Sequence, residues 1–316
     1  MLRTANPSTP VRFRPQPPFE KQNLNKIRKV IIPVAGLGTR LLPVTKAIPK
    51  ELLPIVNKPL IQYIVEEAIS AGISEIIFVT RNGKEAIENH FDTNFTLEKK
   101  LKLVGKRKIL KSIKNVVPRR IKLISVRQES PLGLGHAILT AENLINNEPF
   151  GVILPDEFII TDSCKNDLKI MTDLYQRNKK GQILVEKTSR KKISNYGAIE
   201  IKNKKIIKNT DESIIGMSEK PQGKEIPSLY RIVGRYILPP EVFEFLKKEK
   251  KDKSGEIQLT SAIDKLLKKG KAEINAVLTN SRIYDCGEKE GFLGANINIA
   301  LKDKKLKKYL KEEILR

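Results

Sequence analysis

Two glycines, Gly36 and Gly38, follow directly on the apolar run Val30–Val34, and Arg40 stands two residues beyond them. Glycines in a turn after a buried strand let backbone N–H groups approach phosphate oxygens, and an arginine adds a rigid fork of charged donors. The loop Ala35-Gly36-Leu37-Gly38-Thr39-Arg40 is therefore a candidate phosphate cradle. It is not the dinucleotide fingerprint, which needs a third glycine where this chain has Leu41, and it lacks the Gly-Lys-Ser/Thr ending of a P-loop. Lys46, Lys50 and Glu51 follow within a proline-punctuated stretch. Asp156 and Asp285 each close a predicted strand, where open α/β sheets present groups to ligands. A strand-end aspartate taken alone reads more readily as a helix cap, so the residues at this stage point to anion binding and no further.

Composition narrows the classes. The chain has 316 residues, 40% of them hydrophobic and 30% charged. Its two histidines, His90 and His136, cannot supply a three-histidine metal centre, and its two cysteines, Cys164 and Cys286, are too few for a disulfide framework or a zinc site. No run reaches the roughly 18–20 apolar residues of a membrane-spanning helix, and no basic-then-apolar signal peptide opens the chain. A reduced, cytoplasmic protein without membrane insertion is expected. The formal charge of +24 attracts polyanions, from nucleic acid to phosphorylated small molecules. Between Lys99 and Lys122 basic residues accumulate with no acidic one, but few aromatics are interleaved and no nucleic-acid motif accompanies them. This reads as a solvated basic surface, and no specific nucleic acid is expected as a partner.

The elements that must position these residues follow from periodicity. Residues 1–28 carry five dispersed prolines without helical or strand pattern and are expected to be a disordered leader. The spacing then predicts strands over Val30–Val34, Glu75–Val79, Ile121–Val126 and Phe150–Leu154. Helices are predicted over Pro59–Gly72, 84–91, 96–111 and Leu134–Ile145. Strands are expected over Gln182–Lys187, Ala198–Ile201, Lys205–Ile207, Tyr230–Leu238, Ala272–Leu278 and Ile283–Asp285. Helices are expected over Glu241–Lys248, Leu259–Lys268, Phe292–Lys302 and from Lys304 onward. Strand–helix alternation implies an α/β fold: a Rossmann-like, mixed, mostly parallel sheet flanked by helices, its second half including antiparallel pairs and a smaller β-containing part. The expected division is a leader over 1–28, one catalytic domain over 29–301 and a charged terminal helix over 302–316.

The continuation of the glycine loop carries a resemblance. Ile32-Pro33-Val34-Ala35-Gly36-Leu37-Gly38-Thr39-Arg40 and Lys46-Ala47-Ile48-Pro49-Lys50-Glu51 match, nearly letter for letter, the signature of the bacterial UTP–glucose-1-phosphate uridylyltransferases, a branch of the sugar-phosphate nucleotidyltransferases. Glu88-Asn89-His90-Phe91-Asp92 matches too. Gln128 with Gly133-Leu134-Gly135-His136-Ala137 resembles the base-reading segment, and Val152-Ile153-Leu154-Pro155-Asp156 the metal-aspartate strand. Tyr196-Gly197, Glu219-Lys220-Pro221, Ile232-Val233-Gly234-Arg235-Tyr236, Glu256-Ile257-Gln258-Leu259-Thr260 and Asp285-Cys286-Gly287 appear in family order. The match runs from Val30 to Ala300.

The resemblance implies transfer of the uridylyl group of UTP to glucose 1-phosphate, giving UDP-glucose and pyrophosphate, with Mg²⁺ as cofactor and a homo-oligomeric assembly. It implies Arg40, Lys50 and Asp156 as catalytic residues, and Ala35, Gly36, Gly38, Thr39, Arg40, Gln128 and Gly133 as the nucleotide site. Gly197, Glu219 and Lys220 would take the sugar phosphate, and Asp156 and Asp285 the metal. Lys46 and Glu51 are expected in supporting roles, and His136 is expected to pack or cap rather than react. Glu157 departs from the family's usual apolar residue and could perturb the metal site. A thymidylyl or cytidylyl transferase, a silent regulatory paralogue and a polyanion-binding protein are the competing readings. The Lys-Ala-Ile-Pro-Lys-Glu and Gly-Leu-Gly-His-Ala runs favour the uridylyl branch over the other two transferases, and the presence of both aspartates and both key lysines speaks against a silent paralogue.

Overall fold

Adjacent residues of one strand point to opposite sides of a sheet, and in this chain both sides are apolar. Ile31 packs on one face and Ile32 on the other, both fully buried. Such strands need cover on both faces, and helices supply it. The computed structural model describes residues 26–314 except positions 115, 204, 208 and 209. Its strands are β1 (Lys29–Pro33), β2 (Pro54–Ile55), β3 (Lys58–Pro59), β4 (Glu75–Thr80), β5 (Lys122–Arg127), β6 (Phe150–Ile153), β7 (Glu157–Ile160), β8 (Gly181–Lys187), β9 (Gly197–Ile201), β10 (Asp211–Glu219), β11 (Tyr230–Leu238), β12 (Ile274–Leu278) and β13 (Arg282–Asp285). Its helices are α1 (Leu60–Ser70), α2 (Glu85–Phe91), α3 (Phe95–Leu103), α4 (Arg107–Lys114), α5 (Gly133–Thr140), α6 (Glu142–Ile145), α7 (Asp167–Asn178), α8 (Arg190–Ile193), α9 (Val242–Lys248), α10 (Leu259–Lys268), α11 (Lys289–Lys302) and α12 (Lys304–Ile314).

Nine strands form one mixed sheet in the order β5-β4-β1-β6-β11-β8-β12-β10-β9. The first four are parallel to one another, and β11 runs antiparallel to both β6 and β8. Beyond β8 one parallel pairing with β12 is followed by antiparallel β12–β10 and β10–β9 pairs. A contact of Arg231 with Ala198 joins β11 back to β9 and closes the last five strands into a ring. Helices α5, α9 and α10 cover one face through Ile138, Phe243 and Ile263, whereas α1 and α7 cover the other through Ile61, Ile64, Leu168 and Met171. The two-stranded ribbon of β7 and β13 stands outside the sheet, on a small core of Ile55, Leu60, Phe158, Ile160, Cys286 and Ala295.

Several expectations need correction. The helix expected over 96–111 is two helices, α3 and α4, because Gly105 turns left-handed (φ 68°) between them. The helix expected over Leu134–Ile145 is likewise divided into α5 and α6 at Ala141. No strand forms over Lys205–Ile207; Ile206 is buried and its N–H bonds to the Tyr230 hydroxyl instead of a neighbouring strand. Among the described residues six elements were not foreseen: β2, β3, β7, β10, α7 and α8. Helix α7 had a readable start, since the Asn166 side chain caps the N–H of Lys169. Most of the expected leader lies outside the described residues, but Ile27 is already buried and Arg28 bonds Glu148 at 3.1 Å. The basic surface is solvated, with no buried residue in α3 or α4, and its Lys114 pairs with Glu98 at 3.0 Å.

Candidate active site

The parallel half of the sheet sends its strand ends to one cavity of about 580 Å³. Ala35, Gly36, Gly38, Thr39 and Arg40 come from the loop after β1, Gln128 from the end of β5 and Gly133 from the start of α5. Lys50 and Asp156 line the same space. Gly38 adopts φ 70°, and a β-carbon there would lie 3.3 Å from both Lys50 and Thr45, so glycine is required for the loop to fold over Lys50. Gly133, at φ 86°, has a second duty: a β-carbon would meet Glu256 at 2.7 Å. The segment 256–257 docks there, Ile257 exchanging backbone bonds with Leu132 and Gly135.

At one end of the cavity Lys50 Nζ donates to Asp156 Oδ2 at 2.6 Å. Burial would raise the Asp156 carboxyl, but the Lys50 charge beside it wins and holds it below the usual carboxylate value. Lys50 in turn is held above its ordinary value, since Asp156 and Glu51 outweigh the cost of burial. Asp285 shifts the other way: burial and the neighbouring Asp156 charge raise it, against the weaker pull of Arg40 at 3.9 Å. The two aspartates converge beside Gly287. A β-carbon on that residue would sit 3.0 Å from Asp285 Oδ1, 3.4 Å from Asp156 Oδ2 and 2.9 Å from Arg40 Nη2. Two carboxylates facing one small space, with no third carboxylate, histidine or cysteine grouped with them among the described residues, suit a hard divalent cation that also takes phosphate and water. Burial pushes the adjacent Cys286 thiol up to about 12, so it is neither nucleophile nor ligand at neutral pH.

At the other end, Gln128 is held by two hydrogen bonds. Its amide nitrogen donates to the Gly133 carbonyl at 3.2 Å and to His136 Nδ1 at 2.9 Å, which leaves Oε1 outside these two bonds on a residue that lines the cavity. His136 therefore orients Gln128, a role its place in the sequence did not reveal. Glu51 is buried and paired with Lys84 at 2.6 Å, tying the Lys50 turn to the start of α2. Lys46 has no buried role and lies on an exposed turn.

Across Arg40 a second cavity opens, lined by Arg40, Tyr196, Lys220 and Asp285. Here positions are set by strand register. Gly197 of β9 faces Glu219 of β10, and a β-carbon on Gly197 would press Ile232 at 2.8 Å and Glu219 Oε2 at 3.3 Å. Glu219 Oε2 accepts from Thr260 at 2.8 Å, and the Lys220 N–H bonds the Tyr196 carbonyl at 3.1 Å. Glu157 does not join the aspartates: it is buried, bonds the Gly234 N–H and pairs with Arg231 at 2.6 Å. Glu288, which pairs with Arg40 at 2.6 Å, had no signal in the sequence. Of the expected site residues, those of the glycine loop with Lys50, Gln128, Gly133 and Asp156 line the first cavity, Lys220 and Asp285 the second, and Arg40 both. Gly197 and Glu219 line neither but adjoin Tyr196 and Lys220.

Residues 29–302 match the family model described as nucleotidyl transferase. A Haemophilus ducreyi UTP–glucose-1-phosphate uridylyltransferase is 43% identical over 281 residues, covering 88% of this chain and 94% of the relative. Among solved structures, a UTP-bound UGPase from Acinetobacter baumannii superposes with a TM-score of 0.85 at 38% identity, covering 92% of this chain and 99% of that one. A UDP-glucose pyrophosphorylase complexed with UDP-glucose gives 0.78 at 41% identity, covering 88% and 100%.

Proposed function

The chain belongs to the nucleotidyl transferase family, in its UTP–glucose-1-phosphate uridylyltransferase branch, and from that premise we propose the work of each residue in the transfer of UMP from UTP to glucose 1-phosphate. The sugar phosphate attacks the α-phosphorus of UTP, a new P–O bond forms, and pyrophosphate leaves with the electrons of the broken one. A phosphate monoester with a second pKa of about 6 is already largely dianionic at neutral pH, so the attack needs no general base. This agrees with a site whose nearby histidine, His136, is committed to Gln128. The remaining work is to bring two polyanions together in line.

Arg40, with the backbone of Ala35, Gly36, Gly38 and Thr39, holds the phosphates that depart. Lys50 faces the reacting α-phosphate. Asp156 and Asp285 would hold Mg²⁺, which when bound supplies concentrated positive charge at the phosphates. Gln128 Oε1 accepts the N3–H of uracil, while Gly133 lets backbone come close to the base. That contact rejects cytosine, whose N3 is an acceptor, but tolerates thymine. Gly197 and Glu219 face the glucose hydroxyls, and Lys220 meets the sugar phosphate. A homo-oligomer is supported by Leu293, Ile297 and Leu301, which leave an exposed apolar stripe on α11, and light scattering would test it.

The observation that carries this reading is Arg40, shared by a cavity ending in Gln128 and a cavity ending in Lys220. The test is a panel of nucleoside triphosphates with glucose 1-phosphate and Mg²⁺, followed by pyrophosphate release. UTP should lead and CTP should fail. UTP performing no better than dTTP would remove the substrate assignment while leaving the fold untouched.

A further inference from the structure

Glu157 follows Asp156 directly, yet its carboxylate turns away from the aspartates into a buried network. One oxygen takes the Arg231 guanidinium at 2.6 Å and the other the Gly234 N–H. Arg231 Nε also bonds Glu186 at 2.7 Å, and its guanidinium lies 4.5 Å from the centre of the Tyr196 ring. Arg231 is only 5% exposed and sits at the single residue pair joining β11 to β9. Tyr196 is the wall these contacts reach: its carbonyl holds the Lys220 N–H, and it precedes Gly197. It also lines the cavity it shares with Lys220, Arg40 and Asp285.

A buried ion pair is a weak source of net stability, because desolvating two charges offsets their attraction. A guanidinium, however, offers directional donors and a flat face at once. A lysine ammonium carries its donors on one point and has no flat face, so it cannot offer two in-plane bonds to separate carboxylates while a plane lies on the ring.

We propose that Arg231, clamped between Glu157 and Glu186, is a positioning residue that fixes Tyr196 and thereby the wall against which the acceptor sugar phosphate is held. The strand that follows the metal-binding aspartate is then tied through one side chain to the sugar side of the site. The proposal rests on the uridylyltransferase reading of the two cavities.

The test is calorimetric titration of UTP and of UDP-glucose, each with Mg²⁺, into the full chain and two variants. Arg231→Lys keeps the charge and loses the bridge and the stacking. Glu157→Val/Arg231→Met removes both buried charges together, so that no lone ion is left inside. Both variants should bind UDP-glucose about tenfold more weakly, with UTP affinity within about twofold of the parent. The apparent KM for glucose 1-phosphate should rise by a similar factor at saturating UTP. Unchanged affinity for both ligands, or equal weakening of both, would overturn the proposal and leave the pair a structural one. A parent chain that binds neither ligand would instead overturn the uridylyltransferase reading itself.

Discussion

The two halves of the site are built by different rules. On the nucleotide side the strands are parallel, and each delivers its residue at its own C-terminal end: the glycine loop after β1, Gln128 after β5, Asp156 after β6. On the acceptor side the residues come from antiparallel strands, and register decides who meets whom, as where Gly197 faces Glu219. A parallel half can be read one strand at a time. An antiparallel half has to be paired before any of its residues has a place.

Asp156 stands between the halves, and its replacement should damage both. Asp156→Asn is nearly isosteric, yet removes the charge that answers Lys50 and that is proposed to hold the divalent cation. Turnover measured by pyrophosphate release should fall about a hundredfold or more. Near-normal Mg²⁺-dependent turnover would show that Asp156 does not bind the metal.

Two smaller effects should separate the halves. Gln128→Leu should raise the KM for UTP about tenfold and blur the preference over CTP, with glucose 1-phosphate little affected. Lys220→Ala should do the reverse, raising the KM for glucose 1-phosphate about tenfold and leaving that for UTP near its original value. Steady-state kinetics with each substrate varied in turn checks both, and a variant that weakened the other substrate would place its residue in the wrong half.

The smallest effect compares the two aspartates. Asp285 is held above its unfolded value by burial and by Asp156, so the folded state binds its proton more tightly. Stability contributed there is lost as pH rises from the unfolded value through the folded one, and the ionised group is a cost at pH 7. Asp285→Asn should therefore raise Tm by about 1–3 °C at pH 7 while lowering turnover. Asp156, held low by Lys50, has the opposite sign: its contribution is present above the unfolded value and lost as pH falls through the lowered one. Asp156→Asn should lower Tm at pH 7. Thermal melts of both variants at pH 7 and in acid decide the matter, and equal shifts would mean that the two carboxylates are not electrostatically distinct.

What could be read in the sequence follows the same division. The glycine loop, Gln128 and Asp156 each stood at a strand end recognisable from a short apolar run. Strand β10 escaped because its residues, Asp211-Glu212-Ser213-Ile214-Ile215-Gly216-Met217-Ser218-Glu219, mix polar and apolar positions and include a bulge between Ile214 and Gly216. Strand β7 escaped because it pairs with β13 outside the main sheet, a partner more than a hundred residues away. His136 and Arg231 were invisible as working residues for a further reason. Each acts through another side chain, and no local pattern records which side chain that is.

Strand β11 is buried along its whole length and belongs to both halves, paired with β6 on one edge and with β8 and β9 on the other. Its Arg235, wholly enclosed, grips Glu67 of α1 with two bonds of 2.9 and 2.8 Å and also holds the carbonyls of Leu154 and Glu157. A hinge across the cleft would therefore have to cut through β11. Parting the sheet there would unzip a central ladder at about 1 kcal/mol per backbone bond and break the Arg235–Glu67 pair. The turn that carries Arg40 and the segment around Lys220 lie instead at the rim of the cavities, outside that ladder.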